Sequence, residues 1–316
     1  MKKISFVIPC YCSSKTIGAV VEELTNSMKK ENLLDYEIIL VNDSSPDNTF
    51  ENIRQLCKED EKIIGINLAK NFGQHGALMA GMGAAKGEIV VCLDDDGQTP
   101  ADEAKKLIEK INQGYDVVYA SYPKKRHSIF RNVGSKINSL MTEYLLDKPK
   151  NLHLSSYFAA RRFVIEEILK YENAYPYVIG LVLRTTKHIA NVEVSHRERE
   201  EGSSGYTFRK LLALWINGFT AFSVKPLRLA SLLGGFAAVA GVFVIAWIIY
   251  NKMTNPQAPL GWSSMVALLL LLGGMILFVL GMIGEYIGRI YISLNRAPQY
   301  VVRERIHYEK ESEGVE

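Results

Sequence analysis

The chain predicts an α/β domain built on a parallel sheet with helices on both faces, followed by two membrane-crossing helices. Three observations predict it. Short apolar runs alternate with amphipathic helical stretches five times within residues 4–120, the pattern of a parallel sheet wrapped by helices. One of these runs, residues 89–93, ends abruptly in three consecutive carboxylates, Asp94-Asp95-Asp96. Near the C-terminus two stretches, 229–251 and 253–284, carry no charged residue, and a spanning helix needs roughly 20 apolar residues.

The elements follow in order. Residues 4–9 read as a first strand closed by Pro9, and residues 14–30 as an amphipathic helix with Ile17, Val20, Val21, Leu24 and Met28 at helical spacing. A second strand, 36–41, runs into Asn42-Asp43-Ser44-Ser45-Pro46-Asp47, which combines turn and N-cap chemistry. A helix reaching about residue 58 leads to a third strand at 63–67. The loop Lys70-Asn71-Phe72-Gly73-Gln74 opens a small-residue helix ending near Gly87. The acidic strand comes next and is broken by Gly97 and Pro100. A helix over 101–113 and a fifth strand over 115–120 complete the alternation. Gly81-x-Gly83 lies inside a predicted helix, so it is not a dinucleotide fingerprint.

In a sheet of this kind ligands bind beyond the carboxyl ends of the strands. Tyr11, Asp43, Lys70, Asn71 and the acidic triplet all follow strands, so the fold rule brings them to one rim. Three acids at the end of a buried strand are costly unless a cation sits on them. Hard divalent cations take oxygen ligands and share them with substrate phosphates. The plainer reading is a solvated acidic turn, which is common.

Composition narrows the classes. The 316 residues are 48% hydrophobic and 22% charged, with a formal net charge of +3. That charge is too small to indicate a nucleic-acid partner. The cysteines, Cys10, Cys12, Cys57 and Cys92, have no zinc-ligand spacing and read as reduced thiols of a cytosolic domain. The first residues run straight into a strand, without the apolar stretch of a signal peptide.

Beyond residue 122 the pattern loosens. Pro123-Lys124-Lys125-Arg126-His127 is a basic loop continued by Arg131 and Lys136; it reads as a solvated face or as a flap that meets phosphates. Residues 153–160 look extended, 162–171 helical, and 189–196 alternate like a half-buried strand. Residues 207–222 carry a large aromatic face behind Arg209 and Lys210, the character of an interfacial helix. The two uncharged stretches are flanked by Lys225 and Arg228 on one side and Arg289, Arg296, Arg303 and Arg305 on the other. The positive-inside rule then puts both flanks and the N-terminal domain in the cytoplasm. Gly273-Gly274 and Gly284-x-x-x-Gly288 allow close helix approach, within the hairpin or between copies in a homo-oligomer. The expected divisions are a catalytic domain at 1–206, an interfacial helix at 207–226, a transmembrane hairpin at 227–292 and a cytoplasmic tail at 293–316.

With these residues in place, the chain resembles the family-2 glycosyltransferases of the GT-A fold, in the branch that makes polyprenyl-phosphate sugars. The resemblance runs nearly end to end. It rests on Val7-Ile8-Pro9-x-Tyr11, Val41-Asn42-Asp43-Ser44-Ser45, Asn71-Phe72-Gly73, Asp94-x-Asp96-x-Gln98-x-Pro100 and Arg199-x-x-Gly202-x-Ser204-x-Tyr206. Its most specific part is the tail Gly284-Glu285-Tyr286-Ile287-Gly288-Arg289-Ile290-Tyr291 with Arg296-x-Pro298-x-Tyr300.

The resemblance implies roles for these residues. Pro9, Tyr11, Asp43, Lys70, Asn71, Asp94, Asp95 and Gln98 would bind the nucleotide sugar, with Asp43 accepting from a base N–H. Asp94 and Asp96 would form the DxD motif, and Asp96 with Asp94 would hold Mg²⁺ or Mn²⁺. Arg199 would act with them on phosphates, and Arg126, Arg131, Ser204 and Tyr206 would meet the acceptor phosphate. The partners implied are a nucleotide sugar, polyprenyl phosphate and the membrane.

Three departures stand out: Cys12 replaces a usual Asn, Gly205 replaces a common Lys, and residues 152–156 lack the carboxylate that often serves as general base. A phosphate acceptor tolerates the last, because it is mostly dianionic at neutral pH, with a second pKa of about 6. His153 is a substitute candidate but reads more readily as structural. The expected activity is therefore inverting transfer to a lipid phosphate. The alternatives are a non-catalytic membrane scaffold on a degenerate transferase fold, a transferase acting on another lipid or glycan, and a processive synthase. The Gln-x-x-Arg-Trp motif of that last group is missing around Trp215.

Overall fold

The computed structural model describes residues 4–122, 143, 148–150, 152–195, 225–254, 261–294 and 297–308. The chain forms two compact units, Met1–Thr207 together with Arg296–Glu316, and Phe208–Asn295.

The first unit is an α/β layer structure. Its sheet is built from β1 (Ile4–Cys10), β2 (Tyr36–Asn42), β3 (Ile63–Leu68), β4 (Ile89–Cys92), β5 (Val117–Ser121), β6 (Phe158–Arg161), β7 (Ile189–Glu193) and β8 (Val302–Ile306). The order across the sheet is β7-β5-β6-β4-β1-β2-β3-β8. β1 pairs in parallel with β2 on one side and with β4 on the other. The chain therefore reverses its direction of travel at β1/β4, and the crevice that binds ligands in such folds opens there.

The core follows from the apolar runs. β1 and β2 are buried along their whole length, as expected of strands covered on both faces. Pro9 does not close β1, which continues one residue to Cys10 in register with Asn42. Helix α1 (Ile17–Lys30) buries Ile17, Val20, Val21, Leu24 and Met28, the stripe its spacing predicts. Each such side chain contributes about 1.5–3 kcal/mol on burial. α2 (Thr49–Glu59) and α3 (Gln74–Ala84) follow β2 and β3. α3 stops at Ala84, short of the expected Gly87, because Ala85 turns extended and the turn is tied down from beneath. Glu37 accepts from Ser5 Oγ at 2.7 Å and from the Lys86 N–H at 2.6 Å. After β4 a short 3₁₀ turn (Ala101–Glu103) precedes α4 (Ala104–Asn112).

The sheet is mixed, not purely parallel. β6 lies antiparallel between β4 and β5, and β8 lies antiparallel on β3. The five-fold alternation concerns only β1–β5 and carries no information about later strands that insert between or beside them. The C-terminal residues expected as a separate tail thus supply an edge strand of this sheet. α5 (Arg162–Leu169) and α6 (Val178–Thr185) connect β6 to β7; α6 was not expected.

The second unit holds two long helices, α7 (Lys225–Thr254) and α8 (Trp262–Leu294). Their exposed side chains include Phe236, Phe243, Trp247, Leu271, Leu277 and Phe278, a surface unsuited to water. Of the two expected spans, one meets the length and hydropathy of a membrane crossing among the described residues. It is Leu271–Gly288, with mean hydropathy 1.8. Within α7 the shorter stretch Gly234–Val244 is apolar. The interfacial helix expected at 207–226 lies almost entirely outside the described residues.

Candidate active site

The carboxyl ends of β1, β2, β3 and β4 bring Tyr11, Asp43, Lys70, Asn71 and the acidic triplet to one rim, as the sequence predicts. Each acid of the triplet has its own surroundings. Asp94 is engaged on both oxygens: Oδ1 accepts from Gln74 Nε2 at 2.8 Å, and Oδ2 accepts from Ser156 Oγ. Burial raises its carboxyl to about 6, and the Asp96 and Asp95 charges push the same way against these hydrogen bonds. Asp95 accepts from the Tyr11 N–H at 3.1 Å and from Ser13 Oγ, and burial raises its pKa as well. Asp96 accepts from the Gln98 N–H at 3.0 Å across Gly97, whose φ of 72° shapes the turn.

Asp95, expected among the residues that bind the nucleotide sugar, is the acid that ties the acidic turn to the loop after β1. That loop is further fixed by Ser13 N–H to Thr49 Oγ1 at 2.9 Å and Cys12 N–H to Ser45 Oγ at 3.2 Å. Cys12 and Ser44 hold φ of 57° and 54°, a conformation costly for most residues and easiest for Asn and Asp. This explains why an Asn suits position 12, and the Cys there retains the conformation at some cost.

Asp43 is buried, and its two oxygens accept from the Phe72 N–H at 2.7 Å and the Gly73 N–H at 2.8 Å. It thus organises the loop that opens α3. Gly73, with φ of 81°, makes that geometry accessible. Asn71 accepts from the same Gly73 N–H at 3.2 Å. The Lys70 ammonium lies 5.1 Å from the Phe72 ring centroid, a cation–π distance. Tyr122 lies beside Asp94 and Asp96; burial and those charges raise its phenol to about 12, so it stays a neutral donor.

Sequence reasoning missed Ser13, Gln74 and Ser156, which are unremarkable residue types whose roles depend on chain segments far apart. It also missed His75, a buried imidazole held neutral by desolvation, with a pKa lowered to about 4, stacked edge-to-face on Tyr177. The stretch that lacks the expected base presents Ser156 to Asp94. His153 is anchored through its backbone, its N–H donating to Asn191 Oδ1 at 2.9 Å. Arg126, Arg131, Arg199, Ser204 and Tyr206 lie outside the described residues.

The donor set fits a hard divalent cation. Among the described residues no group of three or more His, Cys, Asp or Glu side chains converges on one point. Asp96 with Asp94 would offer one or two carboxylates, the partial set that Mg²⁺ and similar ions complete with phosphates and water. Crowding three acids in a partly desolvated turn raises the cost of ionisation, and a cation relieves that cost.

Comparison with known proteins agrees. Residues 5–169 match the glycosyl transferase family 2 model, and residues 225–290 match the GtrB C-terminal hairpin. The undecaprenyl-phosphate 4-deoxy-4-formamido-L-arabinose transferase of Photorhabdus laumondii is 32% identical, over 100% of this chain and 98% of the relative. The uncharacterized glycosyltransferase YkcC of Bacillus subtilis is 33% identical, over 95% and 93%. Glucosyl-3-phosphoglycerate synthase from Mycobacterium tuberculosis, solved with Mn²⁺ and UDP-glucose, shares the fold at a TM-score of 0.52 and 21% identity, covering 69% of this chain and 77% of that one. By its fold, its acidic strand end and its full-length relatives, the chain belongs to glycosyl transferase family 2.

Proposed function

We propose that this protein is a membrane-anchored inverting glycosyltransferase that moves a sugar from a UDP-linked donor to polyprenyl phosphate, of the undecaprenyl type, at the cytoplasmic membrane face. The observation that carries this reading is the acidic triplet at the β1/β4 crevice in a chain similar over its full length to the undecaprenyl-phosphate 4-deoxy-4-formamido-L-arabinose transferase of Photorhabdus laumondii. Asp43 and the loop of Lys70 and Asn71 shape the nucleotide pocket, with Pro9, Tyr11 and Gln98 on its walls. Asp95 holds the loop after β1 in place. Asp96, with Asp94, would hold Mg²⁺ or Mn²⁺, which neutralises charge on a leaving diphosphate. Arg199 meets the donor phosphates; Arg126, Arg131, Ser204 and Tyr206 meet the acceptor.

In the reaction an acceptor phosphate oxygen attacks the sugar C1 and forms the new C1–O bond. The C1–O bond to the nucleoside diphosphate breaks, and its electrons leave with that group. Attack from the opposite face inverts C1. The acceptor oxygen is already deprotonated, so the reaction proceeds without the carboxylate missing from residues 152–156, and positioning supplies several kcal/mol of the barrier reduction. The aromatic face of the 207–222 sequence and the flanking Lys and Arg residues support an interfacial helix followed by a two-helix hairpin with both flanks cytoplasmic. The small-residue faces at Gly273-Gly274 and Gly284-x-x-x-Gly288 would let helices approach closely in a homo-oligomer.

The test is a panel of labelled nucleotide sugars incubated with detergent-solubilised protein, Mg²⁺ and undecaprenyl phosphate. One donor is expected to give organic-soluble label. No label with any donor would sink the reading and favour the scaffold alternative.

A further inference from the structure

The motif Arg296-x-Pro298-x-Tyr300 has no part in the chemistry above, yet the chain it introduces grips the nucleotide loop. Ala69, the residue before Lys70, is held on both backbone polar groups by this segment. Its N–H donates to the Val301 carbonyl at 2.8 Å, and its carbonyl accepts from Arg303 Nη2 at 3.2 Å. The contact falls just past the irregularity in β3–β8 pairing at Asn67/Leu68, where the ladder ends and the site loop begins.

The segment also lies against α3. A Cβ at Gly76 would come within 3.1 Å of the Gln299 carbonyl, and one at Gly83 within 3.2 Å of Tyr300 Oη. These glycines are two helical turns apart, so they fall on one side of the helix. Gln299 Nε2 donates to the Tyr171 carbonyl. The loop held in this way delivers the Phe72 and Gly73 N–H groups to Asp43 and the Gln74 amide to Asp94. An anchor at Ala69 and another at Gly76 on α3 bracket residues 70–75.

We propose that residues 298–303 are a clamp that positions the donor loop 69–74, with Arg303 as a positioning residue for nucleotide-sugar binding. The chain that returns from α8 therefore completes the donor site from outside the crevice. Only the identity of the ligand rests on the transferase reading above.

Three full-length variants test the clamp. Arg303→Ala removes the donor to Ala69. Arg303→Lys keeps a cationic donor. Arg54→Ala breaks the other side-chain tie to β8, the exposed ion pair with Glu304 at 3.3 Å, without touching Ala69. Two readouts are taken: steady-state kinetics with the donor that labels lipid, and hydrogen exchange at the Phe72 and Gly73 amides. Arg303→Ala is expected to raise the donor KM about three- to tenfold, the value of one ordinary solvent-exposed hydrogen bond, with kcat and the lipid KM unchanged. It should also speed exchange at both amides. Arg303→Lys should recover most of each effect, and Arg54→Ala should leave both at the unmodified values. Unchanged exchange at Phe72 and Gly73 in Arg303→Ala, or equal effects from Arg54→Ala, overturns the clamp. Absence of transfer by the unmodified protein faults the transferase reading instead, and the exchange experiment still decides the clamp.

Discussion

Replacing Asp94 by Asn should stabilise the metal-free protein at neutral pH while abolishing most of its activity. The Asn side chain keeps an oxygen for the Gln74 amide and places an amide opposite Ser156 Oγ, a hydroxyl that can accept as well as donate. What is lost is the charge. Burial holds the Asp94 carboxyl at about 6, above its ordinary 3.8. An acid raised in this way disfavours folding once it ionises: the folded state binds more protons than the unfolded state between those two values, so stability falls as pH rises through that window and stays low above it. At pH 7 the difference corresponds to about 3 kcal/mol, and to about 0.5 kcal/mol at pH 4. Solvent reaching this half-buried side chain reduces the neutral-pH figure to about 1–2 kcal/mol, or about 3–6 °C in Tm for a unit of this size. The assay is thermal unfolding of chelator-treated protein at pH 4.5 and 7.5, followed by transfer at saturating Mg²⁺. The Asp94→Asn variant should unfold at higher temperature than the unmodified protein at pH 7.5, and by only about a third of that margin at pH 4.5. A Tm difference that is negative, or equal at the two pH values, would refute the account of Asp94 as a buried, crowded acid.

Asp96→Asn should lower turnover by about 10²-fold or more with an unchanged Tm, because its carboxylate serves a cation and not packing; near-normal rates at saturating metal would contradict this. Chelation should stop transfer, and either Mg²⁺ or Mn²⁺ should restore it, measured as lipid-linked label. Gly73→Ala forces a side chain into φ 81°, costing about 1–3 kcal/mol, and should raise the donor KM; a Tm and KM equal to the unmodified protein would show that the loop adapts. Ser13→Ala removes a donor to Asp95 and should weaken donor binding without changing the lipid KM.

Much of this was legible in the residues. The apolar period placed α1 with all five of its core side chains, and the run into Asp94-Asp95-Asp96 marked the strand end that carries chemistry. Both signals are local: a buried stripe and a charged break need no knowledge of distant chain. The rim was legible because parallel strands must all present their carboxyl ends to the same side. What the sequence could not show was pairing between distant segments. β6, four residues long, has no signal that distinguishes an antiparallel insertion from another parallel strand. Likewise nothing in Val302–Ile306 says that it pairs with β3 after two long apolar helices. The roles within the triplet were hidden for the same reason. Asp95 binds Tyr11 and Ser13, and Asp94 binds Gln74 and Ser156, across separations of 20 to 84 residues.

By itself, then, the sequence determined the α/β class, the acidic centre, the apolar C-terminal helices and the family, because each is written in residue type and period. The tertiary structure alone decided which carboxylate is tied to which loop and where the C-terminal strand docks, because hydrogen bonds and edge pairing depend on geometry that only the folded chain creates.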